Sequence, residues 1–195
     1  MMPETAKNPG QILLPIARGA ISSALGNTVA ADEDAAWLQE PGACFVTLTQ
    51  SRQLRGCIGT LTAHRPLLAD LKANAQAAAL RDPRFPPLAA SELNHIEIEV
   101  SLLSAMQALH FSCEADVLTQ LQPGVDGVML EFGQYRSTFL PQVWEQLPVA
   151  AEFIAQLKQK AGLPPDFWVQ QIRISRYTVR KWSEKDFHAD LHNMK

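Results

Sequence analysis

Leu54-Arg55-Gly56-Cys57-Ile58-Gly59-Thr60-Leu61 is the stretch around which this sequence is read. As a strand, it places Arg55, Cys57 and Gly59 on one face and Leu54, Gly56 and Ile58 on the other. Gly56 and Gly59 remove side chains on either side of Cys57, which suits close approach by a ligand or by another backbone. Residues 43–49 form a second strand-like run, and Gln50-Ser51-Arg52-Gln53 lies between the two. The pattern predicts a hairpin with a four-residue loop. Pairing Thr49 with Leu54 sets Val46 opposite Cys57, Leu48 opposite Arg55 and Cys44 opposite Gly59. Cys44 then shares a face with Cys57 but lies diagonal to it, too far for a disulfide.

Working outward, residues 11–25 carry apolar side chains at helical spacing, with Pro15 tolerated if it falls in the first turn and Gly26 as a stop. Asp32 is placed to cap a short helix over 33–38. Pro66 suits the first turn of a helix running to Leu80. Asp82-Pro83-Arg84-Phe85-Pro86-Pro87-Leu88 reads as an irregular loop, because three prolines forbid a helix interior. Residues 95–103 alternate strictly and predict a half-buried strand. A helical piece over 114–121 and a Pro123-Gly124 turn follow. Residues 125–132 and 135–140 then make a second hairpin, residues 149–161 a helix and residues 168–182 a closing strand. Hairpin, helix, loop and strand thus occur twice. This order predicts an α+β fold whose antiparallel sheets come from an internally duplicated hairpin-helix-strand unit.

Composition narrows the classes. The 195 residues are 47% hydrophobic and 19% charged, with a net charge of −3, which fits a globular chain and argues against nucleic-acid binding. No apolar run is long enough to span a membrane. The start, Met1 to Asn8, lacks a basic segment and an apolar core, so no signal peptide is read there. Three widely spaced cysteines, Cys44, Cys57 and Cys113, form no CxxC pair and suit a reducing cytoplasm.

The motifs together resemble one family. Leu54-Arg55-Gly56-Cys57-Ile58-Gly59-Thr60, the 82–88 loop, Ile98-Glu99-Val100-Ser101-Leu102-Leu103-Ser104, Pro123-Gly124-Val125-Asp126-Gly127-Val128 and Thr138-Phe139-Leu140-Pro141-Gln142-Val143-Trp144 occur in order. They are similar to the signature of the family named after the Alport, midface hypoplasia and elliptocytosis chromosomal region. Its bacterial members are called system protein A of the Amme–Memo–radical-SAM group. The resemblance implies an α+β fold with a larger and a smaller subdomain in one compact domain. It covers roughly residues 11–183 as the single family domain; residues 1–10 read as a flexible arm and 184–195 as a polar tail. It also implies a Memo-like protein and a radical S-adenosylmethionine protein as partners. It names no cofactor and no reaction.

Arg55, Cys57, Arg84 and Glu99 lie in three of these motifs. Converging on one concave site, they would give a cysteine-centred enzyme acting on a small molecule or modifying a protein. Cys57 is then the nucleophile, its thiolate favoured by Arg55. Glu99 holds Arg55 or acts as a base. Arg84 receives an anionic group, and Gly56 and Gly59 open space for substrate. The competing readings are structural. Cys57 serves as a small packing hydrophobe, an Arg–Glu pair fixes the hairpin against the third strand, and Asp82 and Arg84 order their own loop. The chain is then a non-catalytic binding or scaffold protein. Asp126 beside Gly127 reads as turn chemistry. His188 and His192 would share a helix face, but no third metal ligand accompanies them, so no metal site is assigned.

Overall fold

The computed structural model describes residues 8–186. Residues 1–7 of the expected arm and 187–195 of the expected tail, including His188 and His192, lie outside the described residues. The chain divides into two compact units, one of residues up to Leu103 together with those from Arg180, the other spanning Ser104–Val179.

The first unit opens with α1 (Pro9–Ala24), whose Asn8 side chain accepts from the Gly10 N–H at 3.1 Å. The helix starts two residues earlier than its apolar spacing predicts, so Pro15 is interior rather than in the first turn. A 3-10 turn over Ala36–Gln39 replaces the short helix expected at 33–38. The hairpin of β1 (Ala43–Gln50) and β2 (Gln53–Gly59) follows, then α2 (Leu67–Leu80) and β3 (Ile96–Leu103). The hairpin loop is tighter than expected. Ser51 and Arg52 alone connect the strands, at φ of 50° and 65°, the two left-handed residues that a type I′ turn demands.

The second unit contains β4 (Gln107–Ala108), α3 (Glu114–Gln120), the hairpin of β5 (Gly127–Phe132) and β6 (Tyr135–Phe139), α4 (Ala150–Lys160) and β7 (Arg173–Tyr177). The segment expected as one closing strand over 168–182 is two strands. β7 joins the second sheet and β8 (Val179–Ser183) joins the first.

The sheets run β2-β1-β3-β8 and β6-β5-β7-β4, with antiparallel pairing throughout the registers of β1 and β5. In each, the first hairpin strand is central, flanked by its hairpin partner and by the strand that follows the helix. The duplicated order of elements therefore becomes a duplicated sheet topology. The cause is local: a tight hairpin fixes one neighbour, and a helix crossover returns the next strand to the free side. Alternate residues Cys44, Val46 and Leu48 of β1 and Ile96, Ile98 and Val100 of β3 face α1 and α2 in one core. Val128, Leu130, Ile172 and Ile174 pack with Phe153, Ile154 and Leu157 of α4 in the other. Among the described residues no helix is long and apolar enough to cross a membrane.

Candidate functional site

The signature hairpin contains a bulge. Leu48 pairs with Gly56 and Thr49 with Leu54, leaving Arg55 as the extra residue. A bulge moves every later residue of the strand by one position against its partner. Cys57 therefore faces Thr47 rather than Val46, and Gly59 faces Phe45 rather than Cys44. Cys44 is fully buried on the core face, whereas Cys57 is half-buried on the other side of the sheet. The expectation that the two thiols share a face is thus corrected. All three cysteines are free thiols.

Both glycines are packing positions. A Cβ on Gly56 would lie 2.1 Å from the Ala78 carbonyl oxygen of α2. One on Gly59 would lie 2.2 Å from the Phe45 ring. The space each glycine leaves is filled by the protein, so neither opens room for a substrate beside the thiol.

The two guanidinium groups are held by carboxylates and carbonyls. Arg55 donates from Nε and Nη2 to Glu92 at 3.0 and 3.1 Å, and from Nη1 to the Pro86 carbonyl at 3.0 Å. Its expected partner Glu99 is replaced by Glu92, which sits in the 3-10 turn Ala90–His95 just before β3. The Arg55 guanidinium holds the Glu92 carboxyl below its ordinary value, helped by the Ala89 N–H. Arg84 donates from Nε and Nη2 to Asp82 at 2.9 and 2.6 Å, and from Nη2 to the Cys57 carbonyl at 3.1 Å. Asp82, buried, also accepts from the Cys57 N–H at 2.8 Å. The 82–88 loop is thereby sewn to β2 on both backbone groups of Cys57, and Asp82 and Arg84 do order their own loop.

Thr47, Cys57 and Glu99 stand in one row across β2, β1 and β3, because Thr47 is the direct partner of both others. Thr47 Oγ1 and Cys57 Sγ are 3.3 Å apart. Glu99 is two strands from Cys57, about 10 Å at the usual strand spacing, and pairs with Lys181 at 3.7 Å. Arg84 reaches both the carbonyl and the side chain of Cys57, Arg55 joins the loop through Pro86, and Glu99 is paired with Lys181. Thr47 could have been found from the polar alternation Thr47, Thr49 in β1; Glu92 carries no such signal. Among the described residues no group of three or more His, Cys, Asp or Glu side chains could hold a metal ion.

The Asp82 arrangement makes stability depend on acid. The Arg84 hydrogen bonds, then the Cys57 and Arg84 N–H groups, hold the Asp82 carboxyl far below the ordinary carboxylate range. A group depressed in the folded state contributes fully above its unfolded value, roughly 3.9, and that contribution is lost as pH falls toward the folded value. Acid unfolding followed by circular dichroism should show stability falling below about pH 4. Asp82→Asn should flatten this slope. An unchanged acid profile in Asp82→Asn would remove Asp82 from this role.

Comparison with known proteins agrees with the motifs. The crystal structure of PH0010 from Pyrococcus horikoshii matches with a TM-score of 0.75 and 32% identity, over 90% of this chain and 91% of that one. A protein of Methanothermobacter thermautotrophicus is 36% identical over 92% of this chain and 96% of its own length. Protein MJ0810 of Methanocaldococcus jannaschii is 35% identical over 78% of each chain. The AMMECR1 family pattern matches residues 14–182, taking in the bulged hairpin, the clamped loop and both sheets; the chain belongs to the AMMECR1 family.

Proposed function

We propose that this chain is a non-catalytic binding module, with the 82–88 loop as its recognition surface. The Memo-like protein and the radical S-adenosylmethionine protein implied by the family signature are its partners. One observation carries the reading: the loop is tied down at both ends while its middle is displayed. Asp82 and Leu88 are buried, and the Leu88 N–H donates to the Ala79 carbonyl at 2.8 Å. Pro83, Arg84, Pro86 and Pro87 are exposed, and the Arg84 guanidinium lies 5.5 Å over the Phe85 ring. A proline-stiffened loop loses little conformational freedom on binding. Arginine and aromatic side chains dominate interface energies.

The alternative, a cysteine-centred enzyme, draws on the half-buried thiol of Cys57 and its contact with Thr47. Against it, Glu99 pairs with Lys181 and the donors of Arg55 are directed to Glu92 and Pro86, so neither residue is turned to the thiol.

Tagged chain, co-purified with the two candidate partners, separates the readings. Phe85→Ala and Arg84→Gln, each confirmed folded by circular dichroism, should weaken capture at least about tenfold. Cys57→Val should bind as wild type. Wild-type capture by both loop variants, together with loss of pathway complementation in Cys57→Ser, would overturn the binding reading in favour of the thiol.

A further inference from the structure

A cavity of about 200 Å³ opens in the second unit beside the turn at residues 122–127. Val125 and Asp126 of the Pro123-Gly124-Val125-Asp126-Gly127 motif, which the loop reading leaves unexplained, line it. Arg176, Gln107, Gln122, Asp126, Ser104 and Thr178 contribute its polar walls.

The fold assembles this lining from separate elements. Gln107 of β4 and Arg176 of β7 are direct cross-strand partners, so their side chains stand side by side on one face. Asp126 is buried, accepts from the Gln122 N–H at 2.8 Å and thereby closes the turn. Its Oδ2 lies 3.6 Å from Arg176 Nη1, and that same nitrogen donates to the Gln120 carbonyl at 2.9 Å. Both contacts use Nη1. A guanidinium has five N–H donors in a fixed fork, so its other edge remains for a planar acceptor. Arg176 is thus oriented from behind, while its side chain keeps 30% exposure.

We propose that this cavity binds a small carboxylate metabolite. The carboxylate pairs with Arg176, and a second polar group of the ligand lies against the side-chain amides of Gln107 and Gln122. The volume is below the roughly 300–1,000 Å³ of pockets that take drug-sized ligands, which selects a small molecule. The nearby Asp126 carboxylate selects a planar, singly charged head over a dianionic phosphate, which it would repel more strongly. A bidentate fork matches the carboxylate in shape and charge. The site lies wholly within the second unit and does not rest on the loop reading.

The test is a titration of the full-length, ¹⁵N-labelled chain with sodium succinate and, in parallel, with inorganic phosphate. The side-chain N–H signals of Arg176, Gln107 and Gln122 are followed by NMR. Succinate should give saturable shifts at all three side chains. Arg176→Ala should weaken the response of the two glutamines by at least about tenfold, the loss expected for a charge-assisted hydrogen bond. Gln107→Ala, at an exposed edge position, gives a second variant should Arg176→Ala fold poorly, and it too should weaken binding. Arg173→Ala, on β7 but outside the cavity, should leave the response unchanged. Absence of saturable shifts with succinate would overturn the proposal. So would shifts that persist at full strength in both cavity variants, or phosphate binding tighter than succinate.

Discussion

Gly56→Ala is expected to destabilise the first unit by about 3 kcal/mol, at the upper end of what overpacking costs. The new methyl would sit 2.1 Å from the Ala78 oxygen and 3.1 Å from its carbonyl carbon. These are backbone atoms of α2, so no rotamer change relieves the clash, and β2 must move off the helix. That movement would withdraw the Cys57 N–H and C=O from Asp82 and Arg84. Gly59→Ala meets the Phe45 ring at 2.2 Å and the Phe45 Cα at 2.7 Å, so turning the ring relieves only part of the clash. It should cost less, about 1–2 kcal/mol. Urea titration checks the pair. A Gly56→Ala midpoint matching wild type would refute the contact between β2 and α2, and a Gly59→Ala loss exceeding that of Gly56→Ala would show that the Phe45 ring does not give way.

Asp70→Ala should cost about 3 kcal/mol or more, because it removes the acceptor of a buried network. Asp70, in the first turn of α2, is fully buried. It accepts from the Cys44 N–H at 3.0 Å, Thr60 Oγ1 at 2.7 Å, Asn74 Nδ2 at 2.9 Å and Arg65 Nε at 2.9 Å. Asn74 in turn donates to the Cys44 carbonyl at 3.0 Å. One carboxylate thus ties the start of β1 and the residue after β2 to the helix beneath them. Burial, reinforced by the Asp70 charge, pushes the Cys44 thiol far above its ordinary value, which marks it as a packing cysteine. Among the described residues every buried side-chain nitrogen and oxygen has a hydrogen-bond partner; the truncation would leave the Cys44 N–H without its acceptor and take one partner each from Thr60, Asn74 and Arg65. Asp70→Asn keeps the volume and should lose less. Equal stability of Asp70→Ala and wild type in the same titration would show the network to be dispensable.

The strands, helices and turns that depend on neighbours in sequence were legible in advance. The alternation over 95–103 becomes β3, Pro66 stands immediately before α2, and the three prolines keep 82–88 irregular. The repeated order hairpin, helix, strand pointed to antiparallel sheets from a duplicated unit, and the structure shows those sheets to share one strand order. Periodicity and turn chemistry act over a few residues, so a linear reading captures them.

The site was less legible. Arg55, Arg84 and Cys57 are brought together, but by Asp82 and Glu92 rather than by Glu99. A closing strand over 168–182 reads as continuous, yet Thr178 separates strands of two different sheets. By itself the sequence determined the α+β class, the hairpins and the family, because these rest on local patterns and ordered motifs. Tertiary structure alone decided which face Cys57 occupies and which acid each arginine meets. The physical reason is the single extra residue at Arg55: a bulge changes no composition and no hydrophobic count, but it reverses the facing of every residue beyond it.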